Sequence, residues 1–169
     1  GITARGVLLA GHGGDFQHLA LSDHRDWWQS VMTEIDAYKN DYKYIFLMGY
    51  SFGSNLVIDI ACRYPNLSTG VICMSPSVFI RKHKRVRFLN AVLSLFTDHV
   101  DKRKLPKDTR IIYEAGGRHI TVPTHGLSNF FQFIELHTKR QLGLFTSPVL
   151  LIHSRDDYAS SPSSSEYIF

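Results

Sequence analysis

Tyr44-Ile45-Phe46-Leu47-Met48-Gly49-Tyr50-Ser51-Phe52-Gly53 is the stretch whose reading decides the fold. Its apolar half, Tyr44 to Met48, predicts a strand buried on both faces of a parallel sheet. The strand runs straight into Gly49-Tyr50-Ser51-Phe52-Gly53, and Asn55 to Arg63 continues as a helical pattern that Pro65 stops. Strand, G-x-S-x-G and helix in succession make a weak five-residue match a specific one, because a serine in that context sits in a sharp, strained turn. Residues two before and two after the serine are expected to be small so that strand and helix can approach, which Gly49 and Gly53 satisfy. The turn lifts the Ser51 hydroxyl clear of the sheet, and the Phe52 N–H at the helix start can face an oxyanion. A P-loop is excluded by the missing Gly-Lys-Ser/Thr ending, and a dinucleotide fingerprint needs a different glycine spacing.

Outward from this elbow, strand and helix patterns alternate, which predicts an α/β fold with a mostly parallel sheet flanked by helices. Gly6 to Ala10 reads as a strand entering the loop Gly11-His12-Gly13-Gly14. From Asp26 to Lys39, Trp27, Val31, Ile35 and Tyr38 recur at three- and four-residue spacing, so one helix face is expected to be buried. Gly70 to Met74 is the next strand, and Val149 to His153 a later one. Between them, Ser77 to about Ser147 breaks the rhythm and reads as an inserted helical cap. This divides the chain into core 1–76, cap 77–147 and core 148–169. Near the end, Ser163 and Glu166 have the spacing of a helix capping box.

A serine hydroxyl cannot attack unaided; it needs a histidine to take its proton and a carboxylate to orient that histidine. Asp157 follows the strand that starts at Val149, at the carboxyl end where open α/β sheets place reacting groups. Neighbouring Asp156 competes for the role, and either could be a turn residue. None of the nine histidines has the expected place after the acid: His153 lies before it and reads as a packed or surface residue, and His119, His125 and His137 fall in the insertion. His12, His18 and His24 share a polar loop, but their spacing matches no zinc pattern, and no metal or cofactor is expected.

The bulk composition sets limits on function. With 169 residues, 44% hydrophobic and 20% charged, the chain can bury a sizeable core. The net charge of +4 is concentrated in Arg81, Lys82, Lys84, Arg85 and Arg87, joined by Lys102, Arg103, Lys104, Lys107 and Arg110. Such runs could grip phosphates or an anionic membrane, but no nucleic-acid motif or aromatic interleaving accompanies them, so nucleic acid is not an expected partner. Apolar runs are too short to span a bilayer, so no integral membrane segment is expected. Cys62 and Cys73 read as small buried thiols, and a reducing, cytoplasmic compartment is expected.

Gly11-His12-Gly13, Asp26-Trp27-Trp28, Gly49-Tyr50-Ser51-Phe52-Gly53 and the closing PVLLIHSRDD with SSSEYIF together resemble the α/β-hydrolase family of bacterial carboxylesterases and monoacylglycerol lipases, a serine aminopeptidase-like branch. The resemblance runs nearly end to end. It implies that Gly1 enters at the family's fourth strand, that His12 shapes the rim of the site, and that the insertion lies over it as a lid. A rival reading, His12 as part of the oxyanion motif after the third strand, fits less well because a single helix separates it from the elbow. The resemblance further implies that the earlier strands, the second oxyanion donor and the catalytic histidine lie outside these residues. The third strand would fill the gap between the fourth and fifth, so the visible piece should not hold the family conformation alone unless a neighbouring chain or a rearranged pairing fills it. A homo-oligomer therefore stays open.

The expected chemistry is hydrolysis of a small-molecule acyl ester, of short or medium chain or a monoacylglycerol, through an acyl-enzyme on Ser51. Asp157 is the orienting acid and the Phe52 N–H an oxyanion donor. The alternatives are amide or carbon–carbon hydrolysis on the same scaffold, and a truncated, non-catalytic hydrolase that binds a ligand or partner.

Overall fold

The elbow strand is β1, Phe46–Tyr50, and it carries backbone order right up to Ser51. It pairs in parallel with β2, Gly70–Met74, which pairs in parallel with β5, Val149–Ile152, giving the order β1-β2-β5. The computed structural model describes residues 1–13, 16–101, 103 and 121–169. Gly14, Lys102, Lys104, Lys107, Arg110 and His119 lie outside the described residues.

Helices cover one face of this sheet. Helix α1, Phe16–Leu21, leads into α2, His24–Tyr38, which buries Trp27, Val31 and Ile35 as the spacing predicts and Met32 besides, while Tyr38, also expected inside, is only half-buried under the Arg5 guanidinium. Asp23 caps α2 by accepting from Arg25 N–H, and Asp26 accepts from Asp23 N–H, so the chain's capping box is here. Helix α3, Phe52–Arg63, is buried almost throughout and packs across β1 and β2. Its apolar residues join Leu47, Val71, Cys73 and the α2 face in the main core. Cys62 and Cys73 are buried free thiols, pushed up to about 11 and about 12, chiefly by loss of hydration.

After β2 come α4, His83–Leu93, a short antiparallel pair β3, His99–Asp101, and β4, Thr121–Pro123, and then α5, Thr124–Phe133. Helix α5 continues as a π-helical turn, Ile134–Lys139. Ile80, Val86, Val100, Leu127, Phe131 and Ile134 form a second apolar cluster, separate from the core under the sheet. The π turn seats His137 over α3. There Asp59, fully buried, accepts from Arg63 at 2.8 Å and stands 3.5 Å from His137, whose ring stacks on Phe133. The last helix is α6, Ser163–Ile168.

Three expectations are corrected. Gly6–Ala10 joins no sheet among the described residues: no described strand pairs with the outer edge of β1, and a strand without a ladder leaves its N–H and C=O groups unpaired. The strands are not buried on both faces, since Phe46, Met48, Tyr50, Leu150 and Ile152 are exposed on the side opposite α3. Finally, Ser163 is inside α6 and not its cap. Pro162 precedes the helix with no side-chain cap bond, and the Ser163 hydroxyl meets Ser161 at 2.8 Å.

Candidate active site

Ser51 stands between β1 and α3 with φ 52° and ψ −119°, a left-handed conformation that costs a non-glycine residue on the order of 1–3 kcal/mol. Three hydrogen bonds hold it there. Its N–H donates to the Met74 carbonyl at 2.9 Å, and the buried Ser54 hydroxyl donates to the Gly49 carbonyl at 2.8 Å and the Met74 carbonyl at 3.2 Å. A Cβ at Gly49 would overlap the Gly53 carbonyl and the Ser54 nitrogen, so a glycine is required there. The expected symmetry of the two glycines is corrected: a Cβ at Gly53 would meet nothing outside its own helix within 4 Å. Phe52 opens α3, so its N–H belongs to the helix's N-terminal turn, and exposed Tyr50 ends β1 on the uncovered face.

The Ser51 hydroxyl meets the Ser77 hydroxyl at 3.0 Å. Ser77 is buried and clamped to α3 by Asn55, which accepts from the Ser77 N–H at 3.1 Å and donates to its carbonyl at 3.3 Å. Asn55 also donates to Thr138 of the π turn at 3.0 Å. Above the two serines lies a cavity of about 150 Å³ walled by Leu19, Trp27, Ile80, Val122, Leu127 and Phe130, with His12 and Phe52 also at its edge. His12 is exposed, its Nδ1 bonded to the Ala10 carbonyl at 3.1 Å and its ring edge-on to Trp27. That turn depends on Gly11, at φ 77°, where any Cβ would press into the backbone of His18 and Leu19.

The acid loop separates the two aspartates. Asp156 is exposed, whereas Asp157 is half-buried and accepts from the Ala159 and Ser160 N–H groups at 2.9 Å each. Partial burial alone would raise the Asp157 carboxyl; the N–H groups of Ser160 and Ala159, the Ser75 side chain and His153 outweigh it and hold the carboxyl below its ordinary value. His153 is packed: Nδ1 meets the Ser165 hydroxyl at 2.8 Å, and Nε2 is 3.3 Å from the Ser160 carbonyl and 3.5 Å from Asp157. Ala159 reaches the same cavity as Ser51. Among the described residues no hydrogen bond joins Ser51 to a histidine, and no group of three ligands, His12, His18 and His24 included, could hold a metal ion.

The sequence family described as Serine aminopeptidase, S33, matches residues 9–169. The chain belongs to this hydrolase family. Among curated relatives it is similar to a monoglyceride lipase homolog of monkeypox virus, 31% identical over 54% of this chain and 36% of that protein. It is also similar to a thermostable monoacylglycerol lipase of Bacillus sp. strain H-257, 24% identical over 95% of this chain and 62% of that one. The chain thus spans less than two thirds of the length of either relative. A metagenome-derived lipolytic enzyme shares the fold with a TM-score of 0.76 at 17% identity, over 95% of this chain and 63% of that chain. A soluble variant of the Saccharomyces cerevisiae monoglyceride lipase does so with a TM-score of 0.65 at 17% identity, over 90% and 58%. The α/β-hydrolase fold and the membership of a serine aminopeptidase-like hydrolase family expected from the sequence are thereby borne out.

No sequence pattern marks Ser77, Asn55 or Ser160. Each acts through contacts between residues 22 to 84 positions apart, and no local spacing signals such a contact.

Proposed function

We propose that the protein containing this chain hydrolyses carboxylic esters through an acyl-enzyme on Ser51. The observation that carries the reading is a strained serine whose hydroxyl opens on an apolar cavity, with a half-buried carboxylate at the end of a strand of the same sheet. In this reading Ser51 Oγ attacks the ester carbonyl carbon while a histidine accepts its proton. The oxyanion is met by the Phe52 N–H, and collapse of the tetrahedral centre expels the alcohol, which takes the proton back from the histidine. Water then cleaves the acyl-serine by the same steps in reverse order. Asp157 orients the histidine, which the family resemblance places after the acid in chain order.

The acyl chain lies against Leu19, Trp27, Ile80, Leu127 and Phe130, and residues 77–147 act as the lid. Short or medium acyl esters and monoacylglycerols suit that cavity, and lipase relatives support the choice. Turnover of p-nitrophenyl esters of increasing acyl length is the test. The reading expects hydrolysis by the natural protein, a rise with acyl length up to the capacity of the cavity, and loss in Ser51→Ala. Equal turnover in Ser51→Ala would overturn it. Acyl ligand binding with no turnover would favour the binding-module alternative.

A further inference from the structure

We propose that the Ser77 hydroxyl is a catalytic hydrogen-bond donor to Ser51 Oγ that eases departure of the serine when the acyl-enzyme is cleaved; this rests on ester hydrolysis at Ser51 as read above. Ser77 is 2% exposed, and among the described residues its hydroxyl bonds to Ser51 alone, at 3.0 Å. One hydrogen bond does little more than offset the burial of a hydroxyl, so folding alone gives alanine no disadvantage at this position. The backbone around that hydroxyl is fastened residue by residue. Ser75 N–H donates to the Ile152 carbonyl at 2.8 Å, and the Pro76 carbonyl accepts from the Ser160 hydroxyl. Both backbone groups of Ser77 bond to the side-chain amide of Asn55, itself fully buried. The same stretch holds the nucleophile, since Ser51 N–H donates to the Met74 carbonyl. The two hydroxyls are thus carried on one framework, and replacing the Ser77 side chain leaves every one of these backbone bonds in place.

The direction of the bond follows from the chemistry. Ser51 has one hydroxyl hydrogen, and ester hydrolysis commits it to the histidine, so Ser77 is the donor and Ser51 Oγ accepts through a lone pair. The donation acts differently in the two halves of the reaction. During attack, Oγ gives an electron pair to the ester carbon while its proton passes to the histidine, and its strength as an acceptor falls. In the acyl-enzyme Oγ is an ester oxygen, a weak acceptor. Water then adds to the acyl carbon and gives a proton to the histidine. The C–Oγ bond breaks, its electron pair leaves with Oγ, and the histidine returns the proton to that oxygen. Ser77 keeps its own proton throughout. As negative charge gathers on the departing Oγ, the hydrogen bond from Ser77 strengthens, which stabilises this transition state more than the acyl-enzyme before it. Both serines line the same cavity, so the bond lies where the acyl group is cleaved.

Steady-state and burst kinetics of the natural protein on a p-nitrophenyl ester separate the two halves, because the good leaving group makes the first one fast. Ser77→Ala should lower kcat about 10- to 100-fold. It should lower kcat/KM much less, so that KM falls with kcat, p-nitrophenol appears in a burst, and intact mass shows the acyl group held on the chain. A merely structural contact, once lost, would misplace Ser51, lower kcat/KM most and give no accumulation. Ser77→Thr and Ser77→Val share nearly one shape and differ in the hydroxyl, so the threonine variant should exceed the valine variant in kcat about tenfold, even where both crowd the site. The proposal alone is overturned by Ser77→Ala with wild-type kcat, by a faster Ser77→Ala, which would make Ser51 the donor, by a fall confined to kcat/KM, or by equal kcat in the threonine and valine variants. Wild-type turnover that is absent, or that survives Ser51→Ala, would instead overturn the ester-hydrolysis reading and the proposal with it.

Discussion

The elbow around Ser51 and the loop around Asp157 follow β1 and β5, the two strands that flank β2 in one sheet, yet they are held by different physics. The elbow is a steric device: within five residues, Gly49 lets α3 cross against β1, and a left-handed serine is pinned to Met74. The acid loop is a hydrogen-bond device. Asp157 is gripped by two N–H groups, the Ser160 hydroxyl donates to the Pro76 carbonyl across the chain, and His153 is fastened to Ser165. Close packing makes the elbow intolerant of one methyl group at Gly49. The loop should instead lose its geometry when a polar partner is removed.

Substitutions can break or sharpen that contrast. The largest effect is expected for Asp157→Asn, which keeps the shape of the side chain and removes the charge: ester turnover should fall on the order of 10⁴-fold, read by steady-state kinetics. Next comes Gly49→Ala. The overlap with Gly53 and Ser54 backbone should cost on the order of 3 kcal/mol in urea unfolding, whereas Gly53→Ala should be neutral or stabilise by up to about 1 kcal/mol. Equal destabilisation at both glycines would break the steric account. Ser160→Ala removes the donor to Pro76 and should cost about 1–3 kcal/mol by leaving a buried carbonyl short of a partner. If it proved neutral, the loop would be held by packing after all.

The smallest effect concerns the His137 cluster. Loss of hydration, helped by His24 and Arg63 and opposed by Asp59, holds His137 below its ordinary 6.5. The unfolded chain therefore binds more protons there between the folded value and 6.5, so stability should fall as pH drops through that window. Melting temperature followed from about pH 8 to about pH 5 should show the decline, and His137→Gln should flatten it. A flat profile for the unmodified chain would contradict the assignment.

The same contrast governs what is legible in the sequence. Gly49-Tyr50-Ser51-Phe52-Gly53 is local, so its strand, turn and helix can be read directly, as can β2, β5 and the buried stripe of α2. The exposure of Phe46, Met48 and Leu150 is not legible, because an apolar run reads alike whether its second face is covered or not. Asp157 can be narrowed only to a pair with Asp156, since burial of one of two adjacent aspartates is decided by loop geometry. The spacing of Ser163 and Glu166 points to a capping box that occurs instead at Asp23, where Asp26 replaces the usual Glu or Gln. Ser77 carries no local sign, because its meeting with Ser51 is made by the return of β2 alongside β1.

The central claim is that Ser51 is an activated nucleophile. Intact-mass measurement of the natural protein before and after exposure to a fluorophosphonate tests it most directly, since that reagent labels serines activated by a working triad. One adduct, absent in Ser51→Ala, is the predicted result; an unlabelled protein, or an adduct that survives Ser51→Ala, would contradict it.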